Sequence, residues 1–335
     1  MTDVNLTLEE ADALVMRVLR ANGCDEANAR AVTDTVMAAE RDICHSHGIF
    51  RIPGYVASLR SGKVNGKAAP TVKQIAPGAL QVDADRGFAP LALERGRQPL
   101  IDLAREQGIA ALSVRDMHHF AALWVEVEPI AEAGLAAFAW TAATPMVAPA
   151  GGTKPLFGTN PMAFAWPRKD GSSMAFDMAT AATARGEIMI MARDGKQAPP
   201  GAGIDADGNP TTDPNAILAG AQLPFGGYKG SAIAMMIELL VGALIGDKLS
   251  IEAGEADIKD GGPPPGGELI IAIDPNRFGD PDGWLAHGEK LFDAMKAQEG
   301  LRLPGERRHQ NRLKTPVEGI YLPRSLYDTV CGLET

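Results

Sequence analysis

The sequence predicts an α/β protein whose mixed-sheet core carries helical segments at its N- and C-terminal ends. Three observations predict it. Roughly the first 65 residues repeat apolar side chains at helical spacing. From about residue 71, short apolar runs alternate with helical ones, the pattern of a layered sheet-and-helix protein. Beyond Gly283 the helical period returns through Glu299. No G-x-G-x-x-G follows a strand and no G-x-x-x-x-G-K-[ST] occurs, so the core is non-Rossmann and not a P-loop. We divide the chain into an N-terminal helical segment (1–70), an α/β core (71–284) and a C-terminal helical segment (285–335).

The elements follow in order. Thr7-Leu8-Glu9-Glu10 reads as a capping box. Leu8, Ala11, Leu14, Val15, Val18 and Leu19 then recur on one helical face, and Gly23 closes the helix. Asp25 caps a second helix with Val32, Val36 and Met37 inward. Ile52, Val56 and Leu59 mark a third, ended by Gly62. Residues 72–75 and 80–83 read as short strands. Residues 90–107 read as a helix capped by Gly108, and 109–114 as an apolar strand. Helix 125–132 leads to strand 135–140, and strands 162–166 and 174–177 follow. Residues 199–214 hold Gly203, Asp205, Asp207, Gly208 and Pro210, the chemistry of a long surface loop. Asp205 to Gly208 resembles the start of a calcium loop but lacks the downstream glutamate. Residues 231–245 predict a buried helix, too short for about 30 Å of hydrocarbon and interrupted by Glu238. Residues 261–267, with three consecutive prolines, predict a stiff exposed connection before strand 268–273.

Composition narrows the function. The 335-residue chain is 45% hydrophobic and 22% charged, an ordinary globular balance, with a formal net charge of -10. An acidic surface repels nucleic acid and anionic membranes. Cys24, Cys44 and Cys331 are odd in number and match no metal or disulfide spacing. With no signal-peptide pattern at the N-terminus, they predict free thiols in a cytoplasmic protein.

Six places offer chemistry. Phe225-Gly226-Gly227-Tyr228-Lys229-Gly230 leads into a helix, where glycines and free N–H groups admit an anion. The same run also suits a plain tight turn. His45-Ser46-His47-Gly48 precedes Arg51. If that segment is helical, His47 and Arg51 share a face. A guanidinium grips a carboxylate, and an imidazole moves a proton near neutral pH. A helix-start histidine beside a surface arginine is the plainer alternative. No further ligands cluster with His45 and His47, so no metal site is predicted. His118-His119-Phe120 follows an apolar strand, where α/β proteins often hold ligands. Thr159-Asn160 and Asp177 to Thr180 with Arg185-Gly186-Glu187 sit in turns beside strands. Arg302, Arg307, Arg308, Arg312 and Lys314 form a basic tail, either a solvated helix face or a phosphate pocket.

Read together, these runs resemble the malate/L-lactate dehydrogenase family, which lacks the Rossmann fold, and within it the bacterial Δ1-piperideine-2-carboxylate/Δ1-pyrroline-2-carboxylate reductases. The resemblance covers nearly the whole chain. It is carried by His45-Ser46-His47-Gly48, His119-Phe120-Ala121-Ala122-Leu123-Trp124, Leu156-Phe157-Gly158-Thr159-Asn160-Pro161, Phe176-Asp177-Met178-Ala179-Thr180, the Phe225 to Gly230 run and Arg302-Leu303-Pro304-Gly305-Glu306-Arg307. It implies an NAD(P)-binding core, NADPH as cofactor, a small cyclic imine carboxylate as substrate and a homodimer. It implies a proton relay of Ser46, His47 and Glu187, where the reductases usually place an aspartate at the last position. Arg51, Thr159, Arg185 and Gly186 fall at substrate positions. His119, Phe120, Ala121, Ala122, Leu123, Asp177, Met178, Ala179, Tyr228, Lys229 and the 302–307 run (Arg302, Leu303, Pro304, Gly305, Glu306, Arg307) fall at cofactor positions. A 2-hydroxyacid dehydrogenase of malate or lactate type shares most of these motifs and is the alternative activity.

Overall fold

Thr7 starts the first helix, Leu8–Ala21, as a reciprocal cap: its Oγ1 accepts from the Glu10 N–H at 3.1 Å, and Glu10 Oε2 accepts from the Thr7 N–H at 2.8 Å. Ala11, Leu14, Val15 and Val18 form the helix's buried face. They pack with Val32 and Val36 of helix Glu26–Arg41 and with Ile52 and Val56 of helix Ile52–Arg60. Each large aliphatic group so buried contributes roughly 1.5–3 kcal/mol. Ile320, Leu322 and Val330 from the far end of the chain join the same cluster, so both termini share one core. The structure is a computed structural model and describes residues 3–120 and 122–335.

The strands run in chain order. β1 is Val4–Leu6. β2 (Thr71–Ala76), β3 (Ala79–Asp83), β4 (Ile109–His118), β5 (Ala136–Thr141), β6 (Met162–Pro167) and β7 (Ser173–Met178) follow. β8 (Gly203–Ile204), β9 (Pro210–Thr211) and β10 (Ala221–Gln222) are two residues each, and β11 (Pro265–Ile273) and β12 (Ile320–Leu322) complete the set. β1 pairs with β12, which ties the N-terminal segment to the C-terminal one. The main sheet has seven strands in the order β2-β3-β4-β11-β5-β6-β7. Only β3 and β4 are parallel neighbours, and helix Ala89–Gln107 supplies the crossover that a parallel pair requires. β11 lies at the centre, antiparallel to β4 and β5, and is buried along most of its length. Its Leu-Ile-Ile-Ala-Ile run is the continuous apolar pattern of a strand covered on both faces.

The registers decide where a site can form. Pro265 at the start of β11 faces His118 at the end of β4, and Glu268 faces Thr141 at the end of β5. Met162 at the start of β6 faces Met178 at the end of β7. Five strands therefore finish or begin along one edge, and the loops leaving that edge converge.

Three expectations need correction. The 199–214 stretch is not simply a surface loop: Ala202, Gly203 and Ile204 are buried, β8 pairs with β9 and β10, and Asp213 caps a short helix, Pro214–Ala219. A Cβ on Gly203 would lie 2.5 Å from Ile217, so this glycine serves close packing rather than looseness. Asp205 Oδ1 accepts from the N–H groups of Asp207 (3.0 Å) and Asn209 (2.9 Å), an Asx turn that uses the oxygen a cation would need. The 261–267 connection is not exposed throughout. Pro263 and 265–267 are buried and β11 begins at Pro265, because a first strand residue tolerates the missing N–H. Residues 231–245 are not buried all round. Helix Tyr228–Glu238 runs into a π-helical turn, Leu239–Leu244, that packs Ala234, Ile237 and Val241 inward while leaving Met235 (52%), Leu239 (55%) and Leu244 (66%) exposed. Apolar composition alone does not tell a core helix from one with an apolar outer face.

Candidate active site

A cleft of about 1170 Å³ opens at the edge where the five strands converge. Ser46, His47, Arg51, His119, Thr159 and Asp177 line it together with Arg185, Gly186 and Glu187. Segments that are more than 250 residues apart, such as Ser46 and Arg302, meet across it.

The first wall is the 45–51 turn. His45–His47 and Ile49–Arg51 are two separate 3₁₀ turns broken at Gly48, so His47 and Arg51 do not share a helix face as the spacing suggested. Buried Glu40 reorganises the chain here: its carboxylate accepts from the Ile49 N–H at 2.7 Å and lies 2.8 Å from His45 Nδ1. A Cβ at Gly48 would lie 2.0 Å from Glu40 Oε1, so the break needs glycine. The outcome still brings the predicted residues together. Ser46 Oγ and His47 Nδ1 are 3.0 Å apart, and Arg51 Nε donates to the Ser46 carbonyl at 2.7 Å. Arg51 stacks on Phe120, 4.6 Å from the ring centre.

Electrostatics distinguish this wall. Burial pushes the His47 imidazole down to about 3, and the charges of Arg51 and His119 add to the effect. At neutral pH the His47 imidazole is therefore uncharged. Burial also lowers the Arg51 guanidinium to about 10. Among the described residues, neither Arg51 nor Arg185 has an acidic partner, yet both line the cleft. A buried cation without a counter-ion is costly unless a ligand supplies one.

The second wall carries Gly186 and Glu187 in the first turn of helix Arg185–Arg193. A Cβ on Gly186 would lie 3.0 Å from both Arg51 Nη2 and Ser46 Cβ, so this glycine lets the two walls touch. Among the described residues Glu187 makes no hydrogen bond to Ser46 or His47, though its charge reaches His45. Thr159 is half-buried, and its carbonyl accepts from Thr180.

The floor holds His119, Phe120, Ala122, Asp177, Met178 and Ala179. Asp177 accepts from the Trp124 N–H at 3.2 Å. Burial raises its carboxyl to about 7, and the nearby Glu126 charge acts in the same direction. Arg302, Leu303, Pro304, Gly305 and Arg307 form the remaining rim. Neither Arg302 nor Arg307 has an acidic partner among the described residues. Arg308 differs, because it donates to Glu128 at 2.9 Å and to the Ala175 carbonyl at 3.1 Å and is already committed.

The remaining assigned residues stand apart. Leu123 is fully buried in the core, touching the floor only through its backbone. Glu306 braces the rim by accepting from the Leu303 N–H at 3.0 Å and pairing with Lys296 at 2.9 Å. Tyr228 (72% exposed) and Lys229 lie on the surface and do not line the cleft. Ala121 lies outside the described residues.

The sequence profile of the malate/L-lactate dehydrogenase family matches residues 6–331. The chain belongs to the malate/L-lactate dehydrogenase family. Members of that family with similar sequences include a Δ1-pyrroline-2-carboxylate reductase from Ancylobacter novellus, 52% identical over 97% of this chain and 96% of its own. Another is a Δ1-pyrroline-2-carboxylate/Δ1-piperideine-2-carboxylate reductase from Pseudomonas aeruginosa, 49% identical over 98% of this chain and 99% of its own. The crystal structure of Δ1-piperideine-2-carboxylate reductase from Pseudomonas syringae pvar. tomato superposes with a TM-score of 0.93 at 42% identity, covering 98% of this chain and 99% of that one. A nicotinamide cofactor follows from dehydrogenase family membership.

Sequence reasoning missed the residues that build the family's site here from behind. Glu40, Glu126 and Glu268 are 2%, 5% and 0% exposed. Asp42 and Glu128 are also buried, and Arg312 donates to both, pinning the C-terminal helix Glu306–Glu318 beside the 45–51 turn. The available signal was a carboxylate inside an apolar run, such as Glu268 ahead of Leu-Ile-Ile.

Proposed function

We propose that this enzyme reduces Δ1-pyrroline-2-carboxylate and Δ1-piperideine-2-carboxylate with NADPH, giving L-proline and L-pipecolate. The observation that carries the reading is the Ser46–His47 pair, 3.0 Å apart, beside a half-buried Arg51 that lacks an acidic partner among the described residues. Arg51 receives the substrate carboxylate with charge-assisted hydrogen bonds. That carboxylate offsets the positive charge that holds His47 neutral, so substrate binding raises the affinity of His47 for a proton. Ser46 engages Nδ1 and leaves Nε2 to hold the proton destined for the ring nitrogen. Glu187 takes the third place in this relay, since its neighbour Gly186 packs directly on Ser46. Thr159 and Arg185 complete the substrate side.

The cleft suits a dinucleotide. Its volume exceeds that of most ligand pockets, roughly 300–1,000 Å³. His119, Phe120, Ala122, Asp177 to Ala179 and the 302–307 segment would hold the cofactor, which supplies the hydride when bound. Arg302 and Arg307, without acidic partners, support NADPH over NADH because a guanidinium pairs well with a ribose phosphate. We assign Tyr228 and Lys229 to the cofactor of a second copy, because they flank the exposed Met235–Leu239 face and lie away from their own cleft. Among the described residues no helix is long and apolar enough to cross a membrane. The free cysteines support a reducing, cytoplasmic setting, and the exposed apolar face of Met235, Leu239 and Leu244 supports a homodimer. The test is a side-by-side assay. Turnover of the two cyclic imines should exceed that of oxaloacetate and pyruvate. Comparable or better turnover of the oxoacids would assign the enzyme to the hydroxyacid dehydrogenases instead.

A further inference from the structure

The floor of the cleft rests on a polar cluster whose two carboxyl groups the reaction above leaves unused. His119 Nε2 lies 2.6 Å from Glu126 Oε1 and 3.8 Å from Glu268 Oε2. The three residues are 6%, 5% and 0% exposed. Glu268 belongs to the central strand β11, three residues from its start at Pro265, where the register slips because Arg115 and Asp116 of β4 bulge opposite the single Gly267. Such bulges commonly re-aim a side chain next to a site. Both carboxyl oxygens of Glu268, Glu126 Oε2 and His119 Nδ1 have no hydrogen-bond partner among the described residues.

We propose that Glu126 and Glu268 share one proton as a buried store, and that His119 passes it to the cleft. The charge balance requires a proton at this place. Two carboxylates with oxygens within 4.8 Å of one another and out of water cannot both be ionised when, among the described residues, a single imidazole is the base beside them. Burial raises the Glu268 carboxyl well above the usual range, and the Glu126 charge raises it further. Burial works against Glu126 as well, but the neighbouring Glu268 carboxyl, as the proton-bearing member of the pair, and the His119 charge hold it below its ordinary value. The other groups facing the cluster are Asp177 on β7, Arg97 on helix Ala89–Gln107, Tyr55 on helix Ile52–Arg60 and His47 on the first wall. Only Arg97 among them is a fixed cation, and it acts at a distance on Glu126 alone.

The route uses the two faces of one ring. Nε2 faces the carboxyl pair, and the ring lines the cleft. A proton taken at Nε2 frees the one on Nδ1. Each reduction consumes one proton at the substrate nitrogen. His47 gives that proton from Nε2 and must regain one while the cofactor covers the cleft. In the proposed step Glu268 loses a proton to Glu126, Glu126 passes it to His119 Nε2, and His119 Nδ1 releases one towards His47. No electrons move along this path, and solvent restores the Glu268 proton when the cleft opens. Glu126 and Glu268 act through His119 and touch no substrate.

This inference rests on the reduction proposed above, so its test begins on cofactor-free protein. Infrared difference spectra of the ¹³C-glutamate-labelled enzyme should show a protonated buried carboxyl at neutral pH. Glu268→Gln should abolish it and Glu268→Asp should restore it. In steady state Glu268→Gln should lower kcat roughly 10²-fold, the low end for proton transfer, with KM for imine and cofactor unchanged. The alkaline limb of its kcat profile should move to lower pH. If Glu268→Gln fails to fold, Glu126→Gln carries the test: the Glu268 band should shift and titrate nearer the ordinary carboxyl range. Absence of the band, an unchanged kcat profile in the folded variants, or a stoichiometric divalent cation lost in Glu268→Gln would overturn the store. A band that behaves as described in a protein that does not reduce cyclic imines would uphold the store and overturn the reaction.

Discussion

The wall that carries Ser46, His47 and Arg51 is packed against its neighbours within this chain, whereas the helix start at Tyr228-Lys229 is exposed. On the wall every turn is pinned: Glu40 holds Ile49 and His45, Arg51 holds the Ser46 carbonyl, and Gly186 closes the gap to the opposite side. At the helix start Tyr228 is 72% exposed, and an apolar face continues along Met235, Leu239 and Leu244 with nothing against it in this chain. The contrast separates two tasks. Proton handling and carboxylate capture need sub-ångström placement and are built locally. On the reading proposed above, clamping the far part of a long cofactor would tolerate assembly from two copies.

Five variants and a titration would sharpen or break this contrast. The largest effect should come from His47→Ala, which should lower kcat for imine reduction about 10²–10⁴-fold while NADPH binding by fluorescence stays unchanged. A variant with normal kcat would remove the proton role from this wall. Arg51→Ala should follow, at roughly 2–5 kcal/mol of lost substrate capture, seen as a raised KM for the imine carboxylate. An equal loss for a substrate analogue without the carboxylate would mean that Arg51 only braces Ser46. Next, Arg302→Ala combined with Arg307→Ala should cost about 1.5–3 kcal/mol of NADPH affinity and leave NADH nearly untouched. A matching loss for both cofactors would take the phosphate away from the rim.

Leu239→Glu tests the exposed region. By placing a charge in the exposed apolar face it should shift the protein towards monomer in analytical ultracentrifugation, with weakened cofactor binding and an intact Ser46–His47 wall. A variant that stays dimeric would move the interface elsewhere. The smallest effect should appear in pH. Asp177 holds its proton up to about pH 7, so above that the floor gains a negative charge and the Kd for the anionic cofactor should rise. Asp177→Asn should flatten that rise. The sign for stability is the same: the folded state binds this proton more tightly, so its contribution is present in acid and is lost as pH climbs from the ordinary carboxyl range through about 7. Increasing melting temperature over that interval in wild type but not in Asp177→Asn would contradict it.

Much of the fold was legible from the chain. The capping box at Thr7 and the strand expected at 135–140 appear where the pattern put them, the latter as Ala136–Thr141. Periodicity reports local burial, and those elements are set by local burial. Failures came where burial depends on distant partners. The proline run at 261–267 is sequestered because β4 and β5 flank its continuation, and the 199–214 stretch orders itself around Ile217. Of the site, the motif residues of both walls, Ser46, His47, Arg51, Arg185 and Gly186, were legible, but not their geometry: the Gly48 break replaces the helix that spacing suggested.

By itself the sequence determined the motifs that line the cleft and most of the elements that present them. Side-chain identity and hydrophobic period are properties of short stretches. Only the tertiary structure decided that Glu126, 142 residues before Glu268 in the chain, lies against the same imidazole, that burial holds His47 uncharged at neutral pH and that Tyr228 lies outside the cleft. Those are consequences of desolvation and of charge at a few ångströms. Both depend on what the sheet brings together across long stretches of chain.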